Sequence, residues 1–71
     1  MEKEEFEKKF KELQDRYIRE IYVHFKNGFI IANKYKLLRF RYKKGYYVEL
    51  YQNNRHVGNV DLRRIRLVAS W

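Results

Sequence analysis

The residues of this chain that could do chemistry are cations interleaved with aromatic rings. Arg39, Arg41, Lys43, Lys44, Tyr47, Tyr51 and Arg55 fall in one stretch, and Arg63, Arg64 and Arg66 follow shortly after. Guanidinium and ammonium groups neutralise phosphates and release counterions, which gives sequence-independent affinity for polyanions. Tyrosine faces stack on unpaired bases, each worth on the order of 1–3 kcal/mol. The mixture suits single-stranded RNA or DNA better than duplex, because no basic helix is expected to enter a major groove. The plainer reading is a solvated sheet face, where Tyr supplies β-propensity and Arg supplies solubility.

Other chemistries find little material. The two histidines, His24 and His56, fall on different expected hairpins, and Ser70 is the only serine. There is no Gly-rich phosphate loop and no metal-spaced cluster of His, Asp and Glu. No catalytic residue, metal or cofactor is therefore expected. The chain has no cysteine, which removes disulfides, thiolate zinc sites and cysteine nucleophiles together. That composition fits an intracellular, cytoplasmic protein.

The frame that must position these side chains is small. Seventy-one residues make one domain, 1–71, and a net charge of +8 is spread unevenly along it. Residues 1–20 hold six basic and seven acidic side chains; residues 21–71 hold eleven basic ones against only Glu49 and Asp61. All of the surplus lies in the second part, where it would attract polyanions. No apolar run approaches the roughly 20 residues that cross a bilayer. The acidic start lacks the apolar stretch of a signal peptide, so no membrane partner is expected. A chain this short needs dense packing or self-association to complete its core.

The neutral segment reads as a helix over about residues 3–17. Phe6, Phe10, Leu13 and Tyr17 recur at helical spacing, and Glu2, Glu4 and Glu5 favour the positive end of the dipole. From Ile21 the period changes to two. Ile21, Val23 and Phe25 alternate with Tyr22, His24 and Lys26, and Asn27-Gly28 signals a tight hairpin. Folding about Asn27-Gly28 pairs Phe25 with Ile30 and Val23 with Ala32, and leaves Phe29 and Ile31 outside. That outer apolar pair needs a cover, from the helix or from another subunit.

Phe29 to Tyr42 contains no Gly or Pro and reads as one long strand whose inward parity changes across Asn33–Lys36, by a sharp bend or a break. A three-residue loop, Lys43-Lys44-Gly45, then pairs Tyr42 with Tyr46, Phe40 with Val48 and Leu38 with Leu50. This register sets Arg41 beside Tyr47 and Arg39 beside Glu49. Asn53-Asn54 suits a further tight turn, which brings Tyr51 opposite His56 and Leu50 opposite Val57. Gly58 marks a bulge, because Val57 and Val60 otherwise cannot share a face. Asp61 caps a single helical turn, Leu62-Arg63-Arg64, before a last strand from Ile65 to Val68.

This order of elements resembles Sm and Sm-like proteins from about Phe10 to Val68. It is most similar to the bacterial Sm-like RNA chaperones, in which an amphipathic helix leads into a strand ending in Asn-Gly. The family's later strands resemble Tyr47-Val48-Glu49-Leu50-Tyr51 and His56-Val57-Gly58-Asn59-Val60. Three family features are missing. Asn33 stands about where the Sm glycine belongs, Lys43-Lys44-Gly45 replaces the aspartate-containing loop, and Asp61-Leu62-Arg63 lies where the Tyr-Lys-His signature would be. Gly58-Asn59-Val60-Asp61 through Ile65-Arg66-Leu67-Val68 also looks like the end of an SH3-like barrel, without that family's acidic loop and Pro-x-x-Tyr signature.

The resulting expectation is an α+β domain, a helix on a strongly bent five-stranded antiparallel barrel spanning about residues 20–69. It would bind single-stranded nucleic acid without catalysis. Phosphate contacts would come from Arg39, Arg41, Lys43, Lys44, Arg55, Arg63, Arg64 and Arg66, with Tyr47 and Tyr51 as stacking residues. The alternative is a protein-interaction module, an inhibitor or a homo-oligomer that uses Tyr22, Phe29 and Ile31. A designed barrel would also lack Pro and Cys, but the irregular Phe29–Lys36 stretch speaks against idealised design.

Overall fold

A computed structural model describes residues 1–70. Helix α1 spans Lys3–Asp15 and is followed by six strands: β1 (Ile21–Phe25), β2 (Gly28–Ala32), β3 (Lys34–Arg39), β4 (Tyr46–Gln52), β5 (Arg55–Asp61) and β6 (Ile65–Ala69). A 3-10 turn, Leu62–Arg64, joins the last two. The strands form two antiparallel three-stranded sheets, ordered β2-β1-β6 and β3-β4-β5.

The expected five-stranded barrel is therefore corrected to six strands in two separate sheets, with no ladder closing one onto the other. The reason lies at one residue. The long strand breaks at Asn33, whose backbone N–H donates to the Tyr51 carbonyl at 2.8 Å, so the chain leaves its β1 partner for β4. The other polar groups of Asn33 are also engaged: its carbonyl accepts from Gln14 Nε2 at 2.9 Å, and its side chain bonds Asn53. One residue thus ties the helix end, the strand break and the β4–β5 turn together.

The helix uses its stripe as expected, but stops earlier. Phe6 and Phe10 are fully buried, and both rings meet Tyr35 edge-on, at 5.1 and 4.9 Å. Tyr17 does not join them. Its φ of 60° puts it in the left-handed region, where it closes the helix while Ile18 N–H reaches back to the Leu13 carbonyl at 3.2 Å. That geometry leaves Tyr17 90% exposed. The buried core joins these helix residues to Ile21, Val23 and Ala32 of one sheet, Val48, Leu50 and Val60 of the other, and Leu62, Ile65 and Val68. Gly58 lets the sheets approach, since a Cβ there would lie 2.8 Å from Ile30 Cδ1.

Two registers differ from expectation, with different consequences. In the first hairpin, Phe25 pairs with Gly28, Val23 with Ile30 and Ile21 with Ala32. The turn sits on Lys26-Asn27, neither of which takes a positive φ. This shift is even, so every side chain keeps its face. In the second hairpin β3 ends at Arg39, which pairs with Tyr46, and Leu37 pairs with Val48. That shift is odd and turns the strand over. Tyr35 and Leu37 pack against the core while Phe40 and Tyr42 leave the sheet. The packing of Tyr35 on the helix phenylalanines accounts for the choice, since the expected register would point it outward.

The end of the chain follows expectation closely. Asn53 and Asn54 adopt φ of 53° and 66°, and Tyr51 pairs with His56. The bulge differs in its outcome: Leu50 pairs with Gly58 rather than Val57, so Val57 is the extra residue, and it stays exposed while Val60 is buried, so the two do not share a face. Asp61 caps the 3-10 turn, accepting from the Arg63 backbone N–H at 2.9 Å.

Candidate functional site

The odd register has a chemical result. With β3 ending at Arg39, residues 40–45 form a loop closed by a 3.1 Å bond from Phe40 N–H to the Gly45 carbonyl, with Gly45 at φ 109°. The loop borders an open groove of about 700 Å³ that runs between it, the end of β5 and the β1–β2 hairpin. Its cations are Arg39, Arg41, Lys43 and Arg64; its rings are Phe25, Phe40, Tyr42 and Tyr47; Asp61 is its one carboxylate.

The rings are arranged in relation to the charges. Phe40 lies 5.1 Å from Tyr47 with their planes 36° apart, and Lys43 Nζ sits 4.3 Å above the Phe40 ring. Tyr42 is 94% exposed and stands at the mouth. Asp61 binds Arg63 through both carboxylate oxygens, at 2.9 Å for the shorter guanidinium contact, and lies 3.7 Å from Lys43. The Arg63 hydrogen bonds hold the Asp61 carboxyl below its ordinary range, against the opposing effect of partial burial, and Lys43 adds attraction. Arg39, Arg41 and Arg64 form no ion pair with any described residue.

Of the ten residues assigned to nucleic acid from the sequence, five line this groove: Arg39, Arg41, Lys43, Tyr47 and Arg64. The neighbours expected for them differ. Tyr47 lies opposite Leu38 rather than Arg41, and Glu49 lies opposite Lys36 rather than Arg39. Arg63, Arg64 and Arg66 line a second, smaller hollow. Lys44 lies exposed in the loop beside the groove without lining it. Tyr51 shares the outward face of β4 with Tyr47 but donates its hydroxyl to Glu49 at 2.8 Å, a bond that raises its pKa. Arg55 sits at the β4–β5 turn opposite Gln52.

Phe40 and Tyr42 are the loop rings of the groove that the sequence does not assign to it, since its register faces them inward, opposite Val48 and Tyr46. The one available signal was the parity change at Asn33–Lys36, which left the register of everything up to Gly45 open.

Tyr22, Phe29 and Ile31 come together elsewhere, on the outer face of β2-β1-β6. Tyr22 and Phe29 have ring centroids 5.0 Å apart, with His24 near both at 6.0 and 5.6 Å. Leu67, opposite His24, is 50% exposed and Phe29 is 51% exposed. The helix phenylalanines pack into the core instead of over this face.

Among the described residues no group of His, Asp and Glu could hold a metal ion, and no helix is long and apolar enough to cross a membrane. No family model, curated protein or solved structure matches the chain.

Proposed function

We propose that this chain is a non-catalytic module that binds single-stranded RNA or DNA in the groove beside the 40–45 loop. One observation carries the reading: four cations and four aromatic rings border the same open groove, with Phe40 and Tyr47 side by side and cations around them. Phosphates would take Arg39, Arg41, Lys43 and Arg64, and unpaired bases would stack on Tyr47, Phe40 and the exposed Tyr42. A duplex fits less well. The single helix carries more acidic than basic side chains, so it offers no basic rod to a major groove. Asp61 limits the positive field and keeps Lys43 and Arg63 oriented.

Fluorescence anisotropy with labelled single-stranded RNA, single-stranded DNA and duplex DNA, each titrated across salt, tests this. The expected result is tighter binding to a single strand, with log K falling by about 0.7 per neutralised phosphate as log salt rises. Equal binding to all three that vanishes near physiological salt would mean only a charged surface.

A second reading has its own observation. On the Tyr22, Phe29, Ile31 and Leu67 face of β2-β1-β6, Phe29 and Leu67 are each about half exposed, with the Tyr22 ring beside Phe29. A protein partner or a second copy of the chain would bury it.

A further inference from the structure

We infer that the nucleic-acid site does not end at the groove: the hollow beside the β1–β2 turn is a second phosphate subsite for the same strand. This rests on the reading of the groove as a single-strand site and extends it. The hollow, about 380 Å³, is lined by Phe25, Lys26, Asn27, Arg63, Arg64 and Arg66. Four of those six are cations and none is acidic. Phe25 and Arg64 line both spaces, so the two hollows abut at these residues.

The cations come from two separate parts of the chain, and the fold is what joins them. Lys26 occupies the β1–β2 turn; Arg63 and Arg64 belong to the 3-10 turn; Arg66 lies on β6, which pairs with β1. Arg63 is held by its two-pronged contact with Asp61, which fixes where its guanidinium sits. Lys26, Arg64 and Arg66 are exposed and form no ion pair with any described residue. The hollow carries one aromatic ring, where the groove carries four. It is therefore suited to backbone phosphates, whereas the groove takes bases as well. A strand seated by its bases in the groove would pass Arg64 and lay its following phosphates along Arg66 and Lys26.

The test compares oligothymidylates of about 4 and about 12 nucleotides between roughly 0.05 and 0.2 M salt, on the full chain and on a Lys26→Ala/Arg66→Ala variant. The longer strand is expected to bind roughly tenfold tighter. Its salt slope should be steeper by about 1.4, two further phosphates at about 0.7 each. The variant should return the longer strand to the affinity and slope of the shorter one and leave the shorter one unchanged. Both substituted side chains are exposed, so the fold should survive. Equal affinity and slope for the two lengths would overturn the second subsite while the groove reading stands. A variant that weakens both lengths alike would overturn it too, since the hollow would then act only through its general field. Failure of both strands to bind would remove the groove reading and this extension together.

Discussion

The groove beside the 40–45 loop and the outer face of β2-β1-β6 both present aromatic rings at close spacing, yet they are chemically different surfaces. In the groove, Phe40 and Tyr47 have Arg39, Arg41, Lys43 and Arg64 around them. On the sheet face, Tyr22 and Phe29 have Ile31, Leu67 and His24 as neighbours and no Lys or Arg in register beside them. Exposed rings alone therefore do not define what this molecule binds. Charge beside the ring separates a surface for a polyanion with stackable bases from one that another apolar surface would cover.

Both regions hang on one core, so the largest break comes from removing it. Phe10→Ala empties a fully buried ring site and should cost about 3–5 kcal/mol, read as a lower denaturant midpoint. A loss below about 1 kcal/mol would mean that the helix is not docked as described.

Tyr47→Ala sharpens the contrast. Single-strand affinity should drop by about 1–3 kcal/mol with the salt slope unchanged, because a stacking partner is lost and no phosphate contact. The same truncation at Phe29 should leave nucleic-acid affinity where it was. Equal losses from the two would erase the distinction between the regions.

Asp61→Asn tests the charge part of it. Asn still caps the 3-10 turn, so the change isolates the carboxylate. Releasing Lys43 and Arg63 should tighten single-strand binding and steepen the salt slope by about 0.7–1.4. The same residue gives a pH signature. Its folded carboxyl titrates below its ordinary value of 3.8. The stability it contributes is therefore present above the unfolded value and is lost as pH falls through the folded one. Unfolding curves for the wild type and D61N should converge in strong acid; a stability gap that is constant with pH would show that the ion pairs contribute nothing.

The smallest expected effect is that of Phe29→Asp. Stability should fall by about 1 kcal/mol, the loss of the ring contacts with Tyr22 and His24, and nucleic-acid affinity should hold. Any association through the β2-β1-β6 face should disappear in sedimentation equilibrium. Persistence of association in this variant would move the apolar interface elsewhere.

The parts of the fold legible in the sequence are those governed by neighbours along the chain. The helix stripe of Phe6 and Phe10, the Asn53-Asn54 turn, the bulge beside Gly58 and the Asp61-capped turn each depend on residues within a few positions of one another. So does the even register shift of the first hairpin, which left Ile21 and Val23 facing in because the side-chain period is two. The site was legible in part. Composition and spacing name Arg39, Arg41 and Tyr47 on a sheet face, Lys43 at a loop tip and Arg64 around the last turn, whereas the structure gathers all five along one groove. Phe40 was assigned to the core.

What the sequence by itself determined, then, is the material: one helix with a phenylalanine stripe, a run of strand-forming segments, and a surplus of cations confined to residues 21–71 beside aromatic side chains. Only the tertiary structure decided where that material goes. Tyr35 is drawn inward by Phe6 and Phe10, residues distant from it in the chain, and that contact turns β3 over. The turned strand ends at Arg39 and releases residues 40–45 as a loop, while Asn33, held by Tyr51, Gln14 and Asn53, breaks the long strand and leaves two sheets in place of the expected barrel. Local periodicity cannot set such a register, because both parities satisfy it. The choice belongs to the packing partner on the other side of the core.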